Sequence, residues 1–239
     1  MIDYKYQGSE LDVFSGATNW KYYWSSAIKP FLGQTVLEVG AGIGGTAKLF
    51  ANCKVKRWMA LEPDASLTNR VKKDGDHSNY PDNFEIHAIR SNDLPRGCKY
   101  DTVLYIDVLE HIQDDKGELD FIARLLEPGG RIIILSPAYN YLYTPFDRAI
   151  GHYRRYNRTT LISIMPERMR VVRVFYLDSV GMLASLGNKL FLKSVMPTER
   201  QIQFWDKSLI PWSRIIDKLV MNRIGKSVVA VFQLDGNAR

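Results

Sequence analysis

The segment Val36–Thr46 limits the possible folds of this chain more than any other part of its sequence. A β-prone apolar run carries Glu38 near its end, and Gly40, Gly42 and Gly44 follow at alternate positions before a segment that can start a helix. Glycine lets the backbone approach a ligand closely and adopt positive φ angles. A strand, a tight glycine turn and a helix N-terminus in this order predict a site for a nucleoside-sized ligand.

The spacing of the glycines favours one kind of nucleoside. A dinucleotide site that holds pyrophosphate has the spacing G-x-G-x-x-G, whereas this chain has E-x-G-x-G-x-G from Glu38 to Gly44. A carboxylate at a strand end suits a cationic or hydroxyl-bearing ligand better than a phosphate. Glu62 ends the next apolar run, at the place where an acidic residue binds the hydroxyls of a ribose. A plain turn and a surface glutamate remain the alternative interpretation.

Strand and helix patterns alternate along the chain and predict seven strands, which are Thr35–Val39, Arg57–Leu61, Phe84–Ala88, Tyr100–Ile106, Arg131–Leu135, Met169–Tyr176 and Ser227–Leu234. Such alternation predicts parallel strands joined by right-handed crossovers, with ligands beyond the carboxyl ends of the strands. Glu38, Glu62, Asp107 and Ser136 lie at such ends and are expected to face one crevice. A helix is predicted from Asp114 or Asp115 to Leu126, ended by the two glycines that follow.

Four segments in this order resemble the motifs of class I S-adenosylmethionine-dependent methyltransferases, namely Glu38–Gly44, Leu61–Asp64, Asp101–His111 and Leu126–Leu135. The resemblance covers residues 35–137 best and is looser toward the C-terminus. It implies an α/β, Rossmann-like fold with a seven-stranded, mostly parallel sheet and helices on both faces. It also implies S-adenosyl-L-methionine as the cofactor and S-adenosyl-L-homocysteine as the product.

The resemblance also implies roles for individual residues. Gly40, Gly42 and Gly44 would give the cofactor room, Glu38 would bind the amino group of its methionine part, and Glu62 would accept both ribose hydroxyls. Asp93, or the backbone around Arg90, would contact the adenine. Asp107 would lie near the sulfonium and the acceptor, with a turn cap as its alternative role.

An aromatic N-terminal helix is predicted over Asn19–Ile28, because the residue before Pro30 disfavours the α conformation. In the family that the chain resembles, such a helix often covers the methionine end of the cofactor. Asn19, Trp20 and Tyr23 are the candidate contacts, and packing of the helix against the sheet edge is the alternative.

The segment Tyr139–Tyr156 follows the fifth strand and is dense in Tyr, His and Arg, so it is expected to border the crevice on the acceptor side. It resembles a subgroup of these methyltransferases with an Asp…Gly-His-x-Arg-Arg-Tyr signature. Asp147 and His152 could form an acid–base pair with His152 as the base. A salt-bridged loop scaffold is the alternative. The candidate acceptor contacts are Tyr143, Arg155 and Tyr156, and Arg155 suits a phosphate or carboxylate.

His111 is a further catalytic candidate, although a lone histidine at this position also suits a structural role. Glu110 lies beside it, but neighbouring residues of a helix point in different directions. Cys53 and Cys98 have no metal-ligand spacing. The sequence therefore predicts no metal site.

We expect one methyltransferase domain over residues 1–239. Its predicted parts are an N-terminal helical cap (1–33), a cofactor-binding core (34–137), an acceptor-side loop, helix and strand (138–176), a helical insertion (177–226), and a last strand with a tail (227–239). The insertion carries apolar residues at helical spacing that predict at least two helices. It could pack in the core, shape the acceptor pocket, form a homodimer face or rest on a membrane surface.

Composition limits the partners and the compartment. The net charge of +6 favours anionic partners, but no long Lys/Arg tract indicates a dedicated nucleic-acid arm. No apolar run has the length of a membrane span, and the N-terminus lacks a signal-peptide pattern. With only two cysteines, the sequence predicts a cytoplasmic protein.

The resemblance predicts methyl transfer to a small-molecule acceptor, most simply to an oxygen, with an anionic, lipid-linked or carrier-bound compound allowed. An N-P-P-[YF] run, which accompanies methylation of amino groups in bases and protein amides, is absent after the fourth strand. An RNA methyltransferase and a non-catalytic nucleoside-binding protein are the alternatives.

Overall fold

A single seven-stranded sheet organises the computed structural model, which describes residues 10–74, 77–95, 97–187 and 196–236. The strands are β1 (Thr35–Val39), β2 (Arg57–Leu61), β3 (Phe84–His87), β4 (Tyr100–Ile106), β5 (Leu126–Pro137), β6 (Met169–Leu177) and β7 (Ser227–Leu234). Their order across the sheet is β3-β2-β1-β4-β5-β7-β6. Strands β1 to β5 run parallel, and β7 lies antiparallel between β5 and β6. The predicted seven-stranded, mostly parallel sheet is confirmed.

The helices lie on both faces of this sheet. They are α1 (Glu10–Ser15), α2 (Thr18–Ile28), α3 (Gly45–Lys48), α4 (Ala65–Lys73), α5 (Asp115–Ile122), α6 (Pro145–Ala149), α7 (Arg158–Ile164), α8 (Ser179–Gly187), α9 (Glu199–Phe204) and α10 (Ile210–Leu219). A π-helical turn, Trp205–Leu209, joins α9 to α10 without a break. No helix in the described residues is long and apolar enough to cross a membrane.

Two apolar layers cover the two faces of the sheet. Along β4, Val103 and Tyr105 are buried in one layer and Leu104 in the other, because successive strand residues point to opposite faces. Strands that are buried on both faces need nearly continuous apolar runs. These runs made the central strands predictable from the sequence.

The region between α5 and β5 differs from the sequence prediction. Helix α5 ends at Ile122 rather than at Leu126, and β5 begins at Leu126. The glycine pair therefore lies inside an irregular strand, where Gly129 has a φ of 78° and the pairing of β5 with β4 shifts. The glycines produce a kink in a strand, which the local sequence does not distinguish from a helix C-terminus.

The insertion between β6 and β7 contains α8, α9 and α10, so the prediction of at least two helices is confirmed. Two buried carboxylates connect the insertion to α2. Asp206 accepts hydrogen bonds from the backbone N–H groups of Asn19 (3.2 Å) and Trp20 (2.8 Å), and Asp217 accepts one from the Tyr23 hydroxyl (2.8 Å). The first turn of α2 is therefore capped by a residue from a distant part of the chain.

Candidate active site

One large cavity opens beyond the carboxyl ends of β1, β2 and β4, as expected for a parallel sheet. Its volume is about 860 Å³, within the range of small-molecule sites. The glycine loop, the ends of β2 and β4, the segment after β5, helix α2 and the start of β7 all contribute to its wall. The cavity therefore joins the predicted cofactor side to the predicted acceptor side.

The glycine loop takes the conformation that the sequence predicts. Gly40, Gly42 and Gly44 have φ angles of 72°, 54° and 75°. Gly40 and Gly42 line the cavity, whereas Gly44 is the N-cap of α3 and is not part of the described wall. A Cβ atom on Gly40 would lie 2.6 Å from a methyl group of Val108. The loop is thus pressed against the segment that follows β4.

Gly40→Ala is expected to lower the free energy of unfolding by about 2–4 kcal/mol, because it combines a left-handed φ with a clash. Urea unfolding measures this loss. Gly45→Ala is the matched control, since Gly45 has no positive φ and a Cβ there would lie 3.6 Å from the flexible end of Lys21. Equal stabilities of the two variants would contradict the prediction.

Glu62 lies in the cavity wall with its carboxylate held by backbone groups. Oε2 accepts from the N–H of Gly42 (2.9 Å) and Oε1 from the N–H of Asp64 (3.0 Å). Burial raises the pKa of Glu62, although these two N–H groups act in the opposite direction. Each carboxylate oxygen can accept a second hydrogen bond. The carboxylate is thus oriented before a ligand arrives and can accept two hydroxyls.

Glu38 and Asp93 lie outside the described cavity wall. Glu38 is buried in β1 and accepts a hydrogen bond from Nε1 of Trp58 (2.8 Å), and burial raises its pKa to about 7. Asp93 accepts from the backbone N–H of Arg90 (3.1 Å) in a 3₁₀ turn. The residues of this turn region that do line the cavity are Arg90, Ser91 and Asn92.

The two candidates on α2 face different surroundings. Trp20 lines the cavity, and its ring lies 5.7 Å from that of Trp205. Tyr23 is not part of the described wall, and its hydroxyl donates to Asp217. Helix α2 therefore contributes to the cavity through Trp20, Lys21 and Trp24, while Tyr23 connects it to the insertion.

On the acceptor side, Asp147 is the centre of a buried network. Its Oδ1 accepts from Nε of Arg155 (2.8 Å) and lies 3.0 Å from Nδ1 of His152, and its Oδ2 accepts from Nη2 of Arg155 (2.8 Å). Burial would raise the pKa of Asp147, but the bonds from His152 and Arg155 outweigh it and hold the pKa well below its usual range. The carboxylate therefore both orients His152 and pairs with Arg155.

His152 lies in the cavity wall between two carboxylates. Burial would lower its pKa, but Asp147 and Glu110 outweigh burial and raise it. Because Nδ1 faces Asp147, Nε2 is directed toward Glu110 Oε1, at 3.8 Å. Nε2 is therefore the ring atom that can exchange a proton with a group in the cavity.

Glu110, His111 and His152 form a cluster whose ligand atoms lie within 4.8 Å of one another. Glu110 Oε1 is buried without a hydrogen-bond partner, while its Oε2 accepts from Ser136 Oγ (2.6 Å). The pKa of His111 is lowered to about 3, mainly by burial and second by the neighbouring His152, so its ring is neutral. A carboxylate and two imidazoles could hold a divalent cation. The helix argument against a metal does not apply, because Leu109–His111 is a 3₁₀ turn and His152 comes from another segment.

Tyr143 and Tyr156 are not part of the described cavity wall. The hydroxyl of Tyr143 donates to the carbonyl oxygen of His152 (2.6 Å). The hydroxyl of Tyr156 donates to Asp115 (2.7 Å). Burial and this hydrogen bond raise the pKa of Tyr156. Both tyrosines thus support the segment that carries His152.

Asp107 and Lys226 complete the polar wall. Asp107 directly follows β4 and has a φ of 53°. Its pKa is raised, first by burial and second by the neighbouring Glu110. No sequence motif indicated Lys226, which lines the cavity. Its Nζ lies 4.8 Å from the ring centre of Trp205, and burial lowers its pKa. Because β7 is antiparallel, the residue before it lies at the edge where the parallel strands end.

Comparison with known proteins identifies the family of the chain. A family model described as a methyltransferase domain matches residues 18–169, which is more than half of the chain. The chain belongs to this methyltransferase domain family. The matched region includes the glycine loop, Glu62 and the acceptor-side segment with Asp147 and His152.

Individual relatives of this chain are distant. It is 27% identical to ajmaline N-methyltransferase of Rauvolfia serpentina, over 79% of this chain and 60% of that protein. It is 25% identical to a ubiquinone biosynthesis O-methyltransferase of Xylella fastidiosa strain 9a5c, over 56% and 61% respectively. The chain thus spans about three fifths of the length of these curated relatives.

Among solved structures, the N-methyltransferase NodS of Bradyrhizobium japonicum WM9, in complex with S-adenosyl-L-homocysteine, has the same fold. The TM-score is 0.60 and the identity is 13%, with 96% of this chain and 93% of that chain covered. At this identity the likeness concerns the fold alone.

Proposed function

We propose that this methyltransferase transfers a methyl group from S-adenosyl-L-methionine to a hydroxyl oxygen of a small-molecule acceptor. The observation that supports the cofactor most directly is the carboxylate of Glu62, which lies in the cavity wall with both oxygens oriented by backbone N–H groups. Gly40 and Gly42 border the same space without side chains. Two acceptor oxygens beside an open backbone suit a ribose diol.

The roles of the remaining cofactor-side residues follow from their positions. Trp20 would cover the methionine part of the cofactor from α2, and the backbone of Arg90 to Asn92 would border the adenine. Asp107 would lie near the sulfonium. Glu38 would act through Thr46, which lines the cavity and whose side chain lowers the pKa of that carboxyl group. Asp93, Tyr23 and Gly44 would support the residues that line the cavity without lining it themselves.

Bound S-adenosyl-L-methionine supplies an activated methyl group, so the chain mainly has to align the acceptor and manage one proton. Alignment of two reactants contributes roughly 7–11 kcal/mol of barrier reduction. His152 would take the hydroxyl proton on Nε2 as the new carbon–oxygen bond forms and the carbon–sulfur bond breaks. Asp147 would orient the ring and stabilise its protonated form. His111, neutral at a ring distance of 4.5 Å, would pack against it.

An oriented base favours oxygen over nitrogen as the acceptor atom. A hydroxyl holds its proton at a high pKa and gains from a base, whereas a neutral amine can attack without one. The relatives named above include an N- and an O-methyltransferase, so their names do not decide between the two. The position of His152 in the cavity wall is the observation that supports oxygen.

Cations on the acceptor side suit an anionic, lipid-linked or carrier-bound acceptor. Lys226 and Arg155 both line the cavity. We propose, from the motif at Gly151–Tyr156, that the chain belongs to the subgroup that carries the Gly-His-x-Arg-Arg-Tyr segment. We also propose a cytoplasmic location and a homodimer.

Calorimetric titration with S-adenosyl-L-homocysteine tests the proposed cofactor. We expect micromolar binding, and no heat from NADH as the control, because the glycine spacing and Glu62 do not suit pyrophosphate. Binding of NADH, or no binding of S-adenosyl-L-homocysteine, would refute the proposal. A screen of candidate acceptors that detects release of S-adenosyl-L-homocysteine would then identify the substrate.

His152→Ala is expected to lower kcat by about 10²–10⁴-fold, which is the usual contribution of a general base. In the wild type the rate should rise with pH and level off above the pKa of His152, which is raised above its ordinary value of 6.5. Steady-state kinetics over pH measures both effects. His87→Ala, at an exposed position in β3, is the control. Unchanged turnover in His152→Ala, with cofactor affinity retained, would exclude this base.

A further inference from the structure

The outer surface of the insertion exposes six large apolar side chains within 21 residues. We call them the apolar face; their exposed fractions are Phe204 62%, Trp212 62%, Ile215 55%, Leu219 77%, Met221 64% and Ile224 42%. In α10, Trp212, Ile215 and Leu219 are spaced i, i+3 and i+7, which places them on one side of the helix. Soluble monomers expose single apolar residues routinely, but several on one side of a helix indicate an interaction surface.

The exposed charges of segment 200–224 all have one sign, although Glu199, the residue before it in α9, is an exposed carboxylate. The exposed charged residues of segment 200–224 are Arg200, Lys207, Arg214, Lys218 and Arg223. Its two carboxylates, Asp206 and Asp217, are buried and bonded to the N-terminal helix and the insertion itself. Both carboxylates of this segment are therefore buried, and its exposed charged side chains are all cationic.

We propose that the apolar face docks onto an anionic lipid bilayer, with α10 lying in the plane of the membrane surface. A helix that presents Trp, Leu and Phe beside Lys and Arg has the composition of interfacial helices, in which apolar side chains enter the acyl boundary while cations contact lipid phosphates. The exposed indole of Trp212 suits the headgroup level, and the exposed ring of Phe204 suits the acyl boundary.

A lipid surface fits this face better than a second copy of the chain does. A two-fold interface brings the same patch of both copies together. Five cations from each copy would then meet with only Glu199 of each copy to offset them, and like charges across an interface are unfavourable. Lipid phosphates neutralise the same cations without any rearrangement of the protein.

The position of the cavity gives this docking a consequence for the substrate. Trp205 lines the cavity from the same continuous helix that carries Phe204 and Trp212 outward. Docking would therefore hold the cavity close to the membrane surface, where it could receive an acceptor attached to a lipid. The docking itself is independent of the proposed methyl transfer, whereas this consequence rests on it.

Vesicle flotation tests the charge part of the proposal. We expect the full chain to float with vesicles of phosphatidylcholine containing about one third phosphatidylglycerol, and not with phosphatidylcholine alone. The double variant Lys207→Gln/Lys218→Gln should bind the anionic vesicles about 25-fold more weakly. Each lysine near a membrane surface contributes roughly fivefold to the affinity. The matched control is Lys72→Gln/Lys73→Gln on α4, which removes the same charge from another exposed site and should bind like the wild type.

Tryptophan fluorescence tests the apolar part. Trp212 is the exposed tryptophan, since Trp20, Trp24, Trp58 and Trp205 are all buried. Anionic vesicles should shift the emission to the blue, brominated lipids should quench it, and Trp212→Phe should lose the shift but still float. Trp212→Ser/Leu219→Ser should lose at least tenfold in binding, whereas Ile162→Ser on α7, also exposed, should not.

Three results would overturn the proposal. One is no flotation of the wild type with anionic vesicles, and another is an equal loss of binding in the α4 control, which would indicate attraction by net charge alone. The third is a dimer in light scattering that Trp212→Ser/Leu219→Ser dissociates, which would make this face an interface between copies. Titration of each variant with S-adenosyl-L-homocysteine monitors the proposed cofactor site separately, so failure of one proposal is distinguishable from failure of the other.

Discussion

Glu62→Ala is expected to weaken the binding of S-adenosyl-L-homocysteine by about 100-fold or more. A hydrogen bond to a charged group contributes roughly 1.5–3 kcal/mol, and a ribose offers two hydroxyls to this carboxylate. The substitution also frees the N–H groups of Gly42 and Asp64, which hold the loop in place. Calorimetry measures the loss directly, because binding needs no knowledge of the acceptor.

The conservative variant Glu62→Gln separates charge from shape. The glutamine amide keeps one acceptor oxygen, but its NH₂ group faces a ribose hydroxyl or a backbone N–H that needs an acceptor. Glu62→Gln should therefore lose most of the affinity for S-adenosyl-L-homocysteine that Glu62→Ala loses. Glu85→Ala, an exposed carboxylate in the neighbouring strand β3, controls for net charge and should bind normally. If Glu62→Ala bound S-adenosyl-L-homocysteine as tightly as the wild type, the assignment of Glu62 to the ribose would fail.

The sequence predicted the strands well because their physical signal is local. The bounds of β1, β2, β4 and β7 agree with the predicted ones, since each is an apolar run between polar or glycine-rich segments. The helix boundary near Gly129 was wrong because glycine gives the same signal in a kinked strand and at a helix C-terminus. Only the pairing of β5 with β4 resolves that ambiguity.

The sequence predicted which residues lie at strand ends near the candidate site. It did not predict which of their side chains point into the cavity. Glu38 and Glu62 both lie at such ends, yet Glu62 reaches the cavity and Glu38 points to Trp58 in the neighbouring strand. The sequence gives the position of a residue along a strand but not which neighbour its side chain meets. The contacts of Asp206 with α2 span more than 180 residues, and no local pattern encodes them.

Asp147→Asn is expected to lower the free energy of unfolding by about 3–5 kcal/mol, which is the usual loss when one partner of a buried ion pair is removed. The asparagine would leave the guanidinium of Arg155 buried without a countercharge. Asp82→Asn, at an exposed position, should be neutral. Urea unfolding at neutral pH measures both, and Asp147→Asn/Arg155→Gln should recover part of the loss because it leaves no unpaired charge.

The pH dependence of this effect has two windows. The pKa of Asp147 is depressed in the folded state, so its contribution is present above the unfolded value of about 3.9 and is lost as the pH falls through the lower folded value. The pKa of His152 is raised, so its contribution is present below about 6.5 and is lost as the pH rises through the higher folded value. The stability difference between wild type and Asp147→Asn should therefore be largest between these windows.

The same variant should change catalysis in a way that lost stability alone does not. Without the carboxylate at Nδ1, the pKa of His152 falls, so the rising limb of the pH–rate profile should move to lower pH. The maximal rate should also fall, because the ring is no longer held in one tautomer and a weaker base accepts the proton less readily. A profile that kept its midpoint while stability fell would assign Asp147 to the scaffold with Arg155 and remove it from the positioning of His152.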